Sequence, residues 1–249
     1  MIDIFIYTLV SVLAVSLISL IGIFTFSIQT KRLKNILIYL VSFSAGALLG
    51  DAFIHLLPEI VENSGFTLSV SLFTLSGIAL FFVMEKVVLW QHCHVPQNSH
   101  HVHPFAIINL IGDGLHNFID GIIIAASYIV SIPAGIATTI AVALHEIPQE
   151  IGDFGILIHG GFSQAKALLV NLATALTAVL GALLTLMASN AIKNIESFVL
   201  PIAVGGFIYI AGSDLIPELH KEFTIKKSII ELIAFLAGIA VMVALLLLE

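Results

Sequence analysis

Long apolar runs recur along the chain at about 4–27, 36–57, 67–89, 105–129, 132–158, 165–189, 198–219 and 228–248. Each reaches or exceeds the roughly 20 residues that a helix needs to cross about 30 Å of hydrocarbon. The runs are continuous and do not alternate with period two, which predicts helices and not a membrane barrel. Short connections make successive spans antiparallel neighbours. The first run opens Met1-Ile2-Asp3, with no basic segment ahead of it, and is too long for a signal-peptide core, so it counts as a true span. The pattern predicts a single all-α integral membrane domain over 1–249 with eight transmembrane helices.

Composition removes the alternatives. Of 249 residues, 59% are hydrophobic and 10% charged, with mean hydropathy +1.12, whereas a soluble domain carries about 25% charged residues. Nine Lys+Arg against 16 Asp+Glu give a net charge of -7, which excludes a nucleic-acid partner and leaves the lipid bilayer as the large one. A lone Cys93 rules out an intramolecular disulfide framework. No phosphate-binding loop suggests ATP use.

The basic residues are distributed unevenly. Lys31, Arg32, Lys34, Lys86, Lys166, Lys221, Lys226 and Lys227 flank the odd-numbered connections, and only Lys193 lies on the other side. That bias places the odd-numbered connections in the cytosol and both termini on the extracytoplasmic side. Glu59, Glu62 and Glu196 then form an acidic outer rim able to concentrate cations.

An internal repeat is legible as well. Laying Pro58-Glu59 on Pro217-Glu218 brings Gly46 onto Gly205, Leu56-Leu57 onto Leu215-Ile216, and His55 onto Asp214. The second and seventh spans are an odd number of spans apart and therefore run in opposite directions. Such inverted repeats are a signature of transporters with a substrate site between the halves. The expected plan is three spans, two spans and three spans, with the fourth and fifth as the central pair.

That pair carries the polar residues. The fourth span contains Asp113, His116, Asn117 and Asp120, and the fifth His145, Glu146, Gln149, Glu150 and Asp153. Ionisable groups at membrane depth are costly and usually functional. Asp113, His116 and Asp120 share one helix face, and Glu146, Glu150 and Asp153 share another. At 1.5 Å per residue, His116 and Glu146 lie roughly 16–18 Å from the cytosolic end, Asp113 and Glu150 about 12 Å, and Asp120 and His145 about 20 Å. The two stripes therefore coincide in height. A divalent cation would offset the charge they concentrate. Imidazole with carboxylate and amide oxygen suits zinc, iron, cobalt or manganese, and no thiolate in the spans favours copper(I). Pro148 should free the carbonyl of Leu144, which is then available to the ion or to water.

At these positions the chain resembles the ZIP (Zrt/Irt-like) divalent metal transporters, through His116-Asn117-Phe118-Ile119-Asp120-Gly121, His145-Glu146-Ile147-Pro148-Gln149-Glu150, the Gly152-Asp153-Phe154 that follows, and the run from Gly50 to Glu59. The resemblance implies a non-enzymatic carrier that moves zinc, or iron, manganese, cadmium or cobalt, toward the cytosol through a centre of one or two ions. It implies that His116, His145, Glu146 and Gln149 hold one ion, and that Asn117, Asp120, Glu146 and Glu150 form a neighbouring site. Gln149 departs from the family pattern, which often has His or a bridging Glu there. A neutral amide cannot bridge two cations as a carboxylate does, so Glu146 or Glu150 is expected to take that role.

Candidate pathway residues are Asp51, His55, Asp113, Asp153, His159, Asp214, Glu218 and His220. The cytosolic loop over 90–104 gathers His92, Cys93, His94, His100, His101 and His103, which suit capture of a soft divalent ion leaving the carrier. An intramembrane metalloprotease is disfavoured, because His145-Glu146 is followed at the fourth position by Gln149 and not the second histidine of a zinc-protease helix. A metal exporter with the same ligands is the other alternative, since residue spacing does not encode direction. The expected setting is the plasma membrane of a prokaryote, for a compact chain without an extracellular domain, and a homodimer is compatible with it.

Overall fold

The structure is a computed structural model that describes residues 2–27, 30–92, 104–189, 191–192, 194–220 and 224–248, with side chains described except at 24–35, 87–92, 104–105, 108 and 248. Among the described residues there is no strand, and the helices form eight rods. Rod one is α1 (Ile2–Ile18) continued by a tighter 3-10 stretch, Ser19–Ser27. Rod two is α2 (Thr30–Gly50), a π-helical turn Asp51–Leu56, and α3 (Leu57–Ser64). Rods three, four and five are α4 (Leu68–His92), α5 (Pro104–Val130) and α6 (Ile132–His159). Rod six is α7 (Gln164–Ala175) and α8 (Thr177–Ser189). Rod seven is α9 (Glu196–Tyr209), a second π-turn Ile210–Leu215, and α10 (Ile216–Leu219). Rod eight is α11 (Ile225–Leu245).

Six rods are long and apolar enough to cross a membrane. The two that fall short, α5 and α6, have 27 and 28 residues, so their acids, histidines and amides, and not their length, set them apart. The protein is an all-α membrane protein.

Two boundaries differ from the apolar pattern, for one reason. The second apolar run ends near residue 57, yet rod two continues to Ser64, and the seventh run contains the other π-turn. Pro58 and Pro217 have no N–H to give to the carbonyl four residues back. The chain responds by widening the turn before each proline. Leu57 N–H bonds to Ala52 O and Ile216 N–H to Ala211 O, five residues back in each case. The prolines then sit in the first turns of α3 and α10, where a missing N–H costs little.

The spatial grouping does not follow chain order. Rods one and six pack around α5 and α6, while α2 pairs with α11 and α4 with α9. The arrangement obeys the repeat: rod one lies on α6 as rod six lies on α5, and rod two meets rod eight as rod seven meets rod three. Glycines set the closest crossings. A Cβ on Gly46 would strike the carbonyl of Phe235, and one on Gly238 that of Phe43; Gly205 and Gly77 stand in the same reciprocal relation to Thr74 and Ile202. Gly121 and Gly181 do so between α5 and α8, against Ala178 and Phe118. Small residues of this kind let helix backbones approach where no hydrophobic effect drives association.

Pro148 does not break α6. The carbonyl of Leu144 that it leaves without a helical donor lies 2.5 Å from Ser44 Oγ on α2, a hydroxyl also 2.8 Å from Leu40 O. The sequence leaves that carbonyl to an ion or to water, and the tertiary contact with Ser44 takes it instead.

Candidate metal centre

Only Ser131 separates α5 from α6, and its side chain accepts the N–H of Ala134, 3.2 Å away, with Pro133 in the first turn. A helix so sharply stopped and restarted makes an antiparallel hairpin, which brings the two polar stripes face to face.

Four donor atoms converge. His116 Nε2 lies 3.1 Å from His145 Nε2, 3.6 Å from Asp120 Oδ2 and 3.4 Å from Glu146 Oε1. His145 Nε2 lies 3.3 Å from Asp120 Oδ2 and 3.5 Å from Glu146 Oε1. A tetrahedral zinc ion with bonds of about 2.0–2.1 Å needs ligand atoms about 3.3–3.4 Å apart. The five separations bracket that length, and all four atoms lie within 4.8 Å of one another.

The surroundings favour a cation. Asp120 and Glu146 are 0% and 1% exposed, yet neither oxygen of Asp120 nor Oε1 of Glu146 accepts a hydrogen bond within the protein. Unmet buried carboxylates are strongly unfavourable, and neither helix contains a lysine or arginine. His145 Nδ1 stands 3.2 Å from Ala141 O. Donation there fixes the tautomer that turns the Nε2 lone pair into the cluster, as outer partners of metal-binding histidines commonly do. Phe81 meets the His116 ring edge-on and Phe207 packs against His145, giving the two imidazoles apolar neighbours.

A second cluster joins Asp113 of α5 to Glu150 and Asp153 of α6, with one oxygen from each within 4.8 Å of the others. Neutral groups hold it. Thr174 Oγ1 donates to Asp113 Oδ2 at 2.5 Å and Asn117 Nδ2 to Asp113 Oδ1 at 2.8 Å. Asn109 Nδ2 donates to Asp153 Oδ1 at 2.8 Å, and Asn171 Nδ2 donates to Glu150 Oε2. Glu150 Oε1, Asp153 Oδ2, Asn117 Oδ1 and Asn171 Oδ1 remain without a hydrogen bond and buried. The result is an all-oxygen donor set beside the mixed nitrogen and oxygen set.

The structure therefore sorts the candidate residues. His116, His145 and Glu146 meet as a group, joined by Asp120. Gln149 is half-buried on the wall of a cavity of about 410 Å³. Asp113 and Asp153, pathway residues by sequence, join Glu150. The cavity runs from Glu218 and Asp214 past Glu85 to Asp113 and His116. On the opposite side of the centre, Leu48, Ile123, Ile124, Leu200, Val204 and Phe207 belong to one packed apolar core. A separate cavity of about 340 Å³, lined by Glu59, Asn63, Asn194 and Glu196, lies beyond it. The two ends are called the Glu218 face and the Glu59 face below.

Other candidates lie apart from the centre. His55 Nε2 is 2.9 Å from Met242 O, tying the first π-turn to α11. Asp51 is buried in the same turn. His159 ends α6 exposed, and His220 is exposed just past α10. Cys93, His94, His100, His101 and His103 lie outside the described residues, as does the side chain of His92. Asn109, Asn171 and Thr174 are not identifiable as site residues from sequence. A buried Asn171 in an otherwise apolar span is the available signal, but one strand of text does not name its partner.

Relatives converge on the same helices. The profile of the ZIP zinc transporter family matches residues 2–104 and 91–246. Zinc transporter zipt-7.2 of Caenorhabditis elegans is 32% identical over 272 residues, covering 86% of this chain and 59% of its own length. Zinc transporter ZIP13 of Pongo abelii is 36% identical over 221 residues, covering 82% and 65%. Zinc transporter SLC39A7 of Rattus norvegicus is 30% identical over 308 residues, covering 86% and 66%. The chain thus spans roughly three-fifths to two-thirds of the length of these relatives, which come from animals. With both central helices and nearly every other rod inside the match, the chain belongs to the ZIP zinc transporter family.

Proposed function

We propose that this protein carries divalent transition-metal cations, zinc foremost, across its membrane by alternating access, with His116, Asp120, His145 and Glu146 as the central ligands. The observation that carries this reading is the four-donor cluster, with five of its six separations at 3.1–3.6 Å and all within 4.8 Å, buried between two helices that carry no lysine or arginine. Asp113, Glu150 and Asp153, supported by Asn117 and Asn171, offer a neighbouring oxygen site, so a second ion would be held by carboxylates of both helices. Glu146 lies in the four-donor cluster and Glu150, one turn on, in the second, which makes either a candidate for the shared ligand between two ions.

The charge bias puts the Glu218 face in the cytosol. The cavity that reaches His116 from that face and the packed core on the other correspond to an inward-open carrier. Movement toward the cytosol is the direction this reading favours, with Asp214 and Glu218 on the release path.

The test is purified protein in vesicles enclosing a zinc-sensitive dye. Wild type should give a fluorescence rise on external zinc that His116→Ala and Glu146→Ala abolish. An equal rise in all three sinks the assignment. Competition among zinc, cadmium, iron and manganese in the same vesicles ranks selectivity.

A further inference from the structure

The alignment that lays Pro58 on Pro217 also lays the π-turn Asp51–Leu56 on the π-turn Ile210–Leu215, residue for residue. Their closing hydrogen bonds correspond too, since Leu57 N–H to Ala52 O becomes Ile216 N–H to Ala211 O. Two halves of the chain thus keep the same uncommon turn at the same place.

Their first three positions match in burial, with Asp51, Ala52, Ile210 and Ala211 buried and Phe53 and Gly212 exposed, and their last three differ. In the first turn His55 is 4% exposed and Leu56 0%, and the turn packs against α6 and α9. In the second, Asp214 is exposed and Leu215 half-buried. That turn packs against α2, but Ile210, Asp214 and Leu215 face Asn109, Gly112 and Asp113 of α5 across the larger cavity. Under the repeat, rod two maps to rod seven and α6 to α5. The contact of the first turn with α6 therefore has a counterpart, the second turn on α5, and the cavity lies where that contact would be.

We infer that the two π-turns are a matched pair of gates, one shut and one open in this structure. Seating Ile210–Leu215 on α5 would close the Glu218 face, and lifting Asp51–Leu56 from α6 would open the Glu59 face, producing the alternate state by the symmetry of the chain. A π-turn suits the task because its wider ring and the following proline leave the helix fewer ordinary i to i−4 bonds to break on bending. The inference rests on the transport reading, because without alternating access a gate pair has no purpose.

Thiol accessibility tests it. In a Cys93→Ser background, Leu215→Cys should react readily with a polar maleimide and Leu56→Cys should be protected. A short bis-maleimide linker, adding the thiols of Gly112→Cys and Asp214→Cys across its two double bonds, should then hold the second turn on α5. In that linked protein, labelling at Leu56→Cys should rise about 100-fold, as for a shift from 1:99 to 99:1 in the exposed state. Failure of the link to form, or a linked protein still protected at position 56, overturns the gates. Hydrogen exchange on the protein with residues 56 and 215 intact gives a second reading. Amides of 51–57 should exchange slowly and those of 211–216 fast, with the order reversed by the link; an unchanged order overturns the inference. Zinc binding and uptake are measured alongside. A protein that carries zinc without exchanging protection defeats the gates alone. One that exchanges protection but neither binds nor carries zinc defeats the transport reading, and with it the purpose assigned to the gates.

Discussion

His116 and His145 bring their Nε2 atoms to 3.1 Å from opposite strands of a helical hairpin. Two imidazole nitrogens that close either share a proton or share an ion. With Nδ1 of His145 donating to Ala141 O, a neutral ring presents its Nε2 lone pair to His116, and a proton on His116 Nε2 can bridge the two rings. Zinc binding must displace that proton, and the same geometry then serves the cation.

Metal should stabilise the protein through this pair. At zinc 100-fold above its dissociation constant, the folded state should gain about 2.7 kcal/mol. Thermal unfolding in detergent should therefore move up with zinc and down with chelator, and His116→Ala should lose the response. A variant that keeps the full zinc shift would show that the ion binds elsewhere.

Gln149 and Glu146 make contrasting claims on the ion. Gln149 borders the cavity, whereas Glu146 Oε1 belongs to the four-donor cluster. Zinc affinity by calorimetry should fall by more than about 100-fold in Glu146→Ala, beyond the range for loss of an outer partner, and much less in Gln149→Ala. Equal losses would give Gln149 the same weight as Glu146 in holding the ion.

Asn171 acts through Glu150. Its amide, 0% exposed, donates to Glu150 Oε2 and lies 3.4 Å from the carbonyl of Ser19. Asn171→Leu should cost about 1–3 kcal/mol in stability, because it strands a buried acceptor. It should also weaken metal binding about 10–100-fold as an outer partner of the site. A stability loss with unchanged cadmium and zinc affinity would confine Asn171 to a packing role.

Ser44 and Pro148 should be coupled. Ser44→Ala leaves Leu144 O without a donor and should cost about 1–3 kcal/mol. In a Pro148→Ala background, the new N–H can reach Leu144 O along the helix, so the same Ser44→Ala change should cost less. A double-mutant cycle with no interaction energy would refute the link.

Glycine substitutions should differ in sign. Gly→Ala normally favours a helix by up to about 1 kcal/mol, and a Cβ added at Gly152 would meet nothing within 4 Å. Gly121→Ala would drive its methyl into the carbonyl of Ala178, with about 1–3 kcal/mol lost to overpacking. Unfolding midpoints of the two variants should move in opposite directions.

Much of this protein is written along the chain. Continuous apolar runs leave backbone hydrogen bonds no alternative to helix in lipid, so the rods follow from composition and periodicity alone. The stripes of α5 and α6 are equally legible, because 1.5 Å per residue fixes height on any helix and a short connection fixes antiparallel sense. Height does not fix rotation or lateral neighbours, however. Only packing turns Asp120 toward the two imidazoles and Gln149 toward the cavity, and only packing supplies Asn109, Asn171, Thr174 and Ser44 from elsewhere in the chain. The π-turns show the same division. Pro58 and Pro217 announce a disturbed helix, but whether the disturbed turn is buried or open depends on which neighbour lies against it, and that is decided by contacts between residues far apart in sequence.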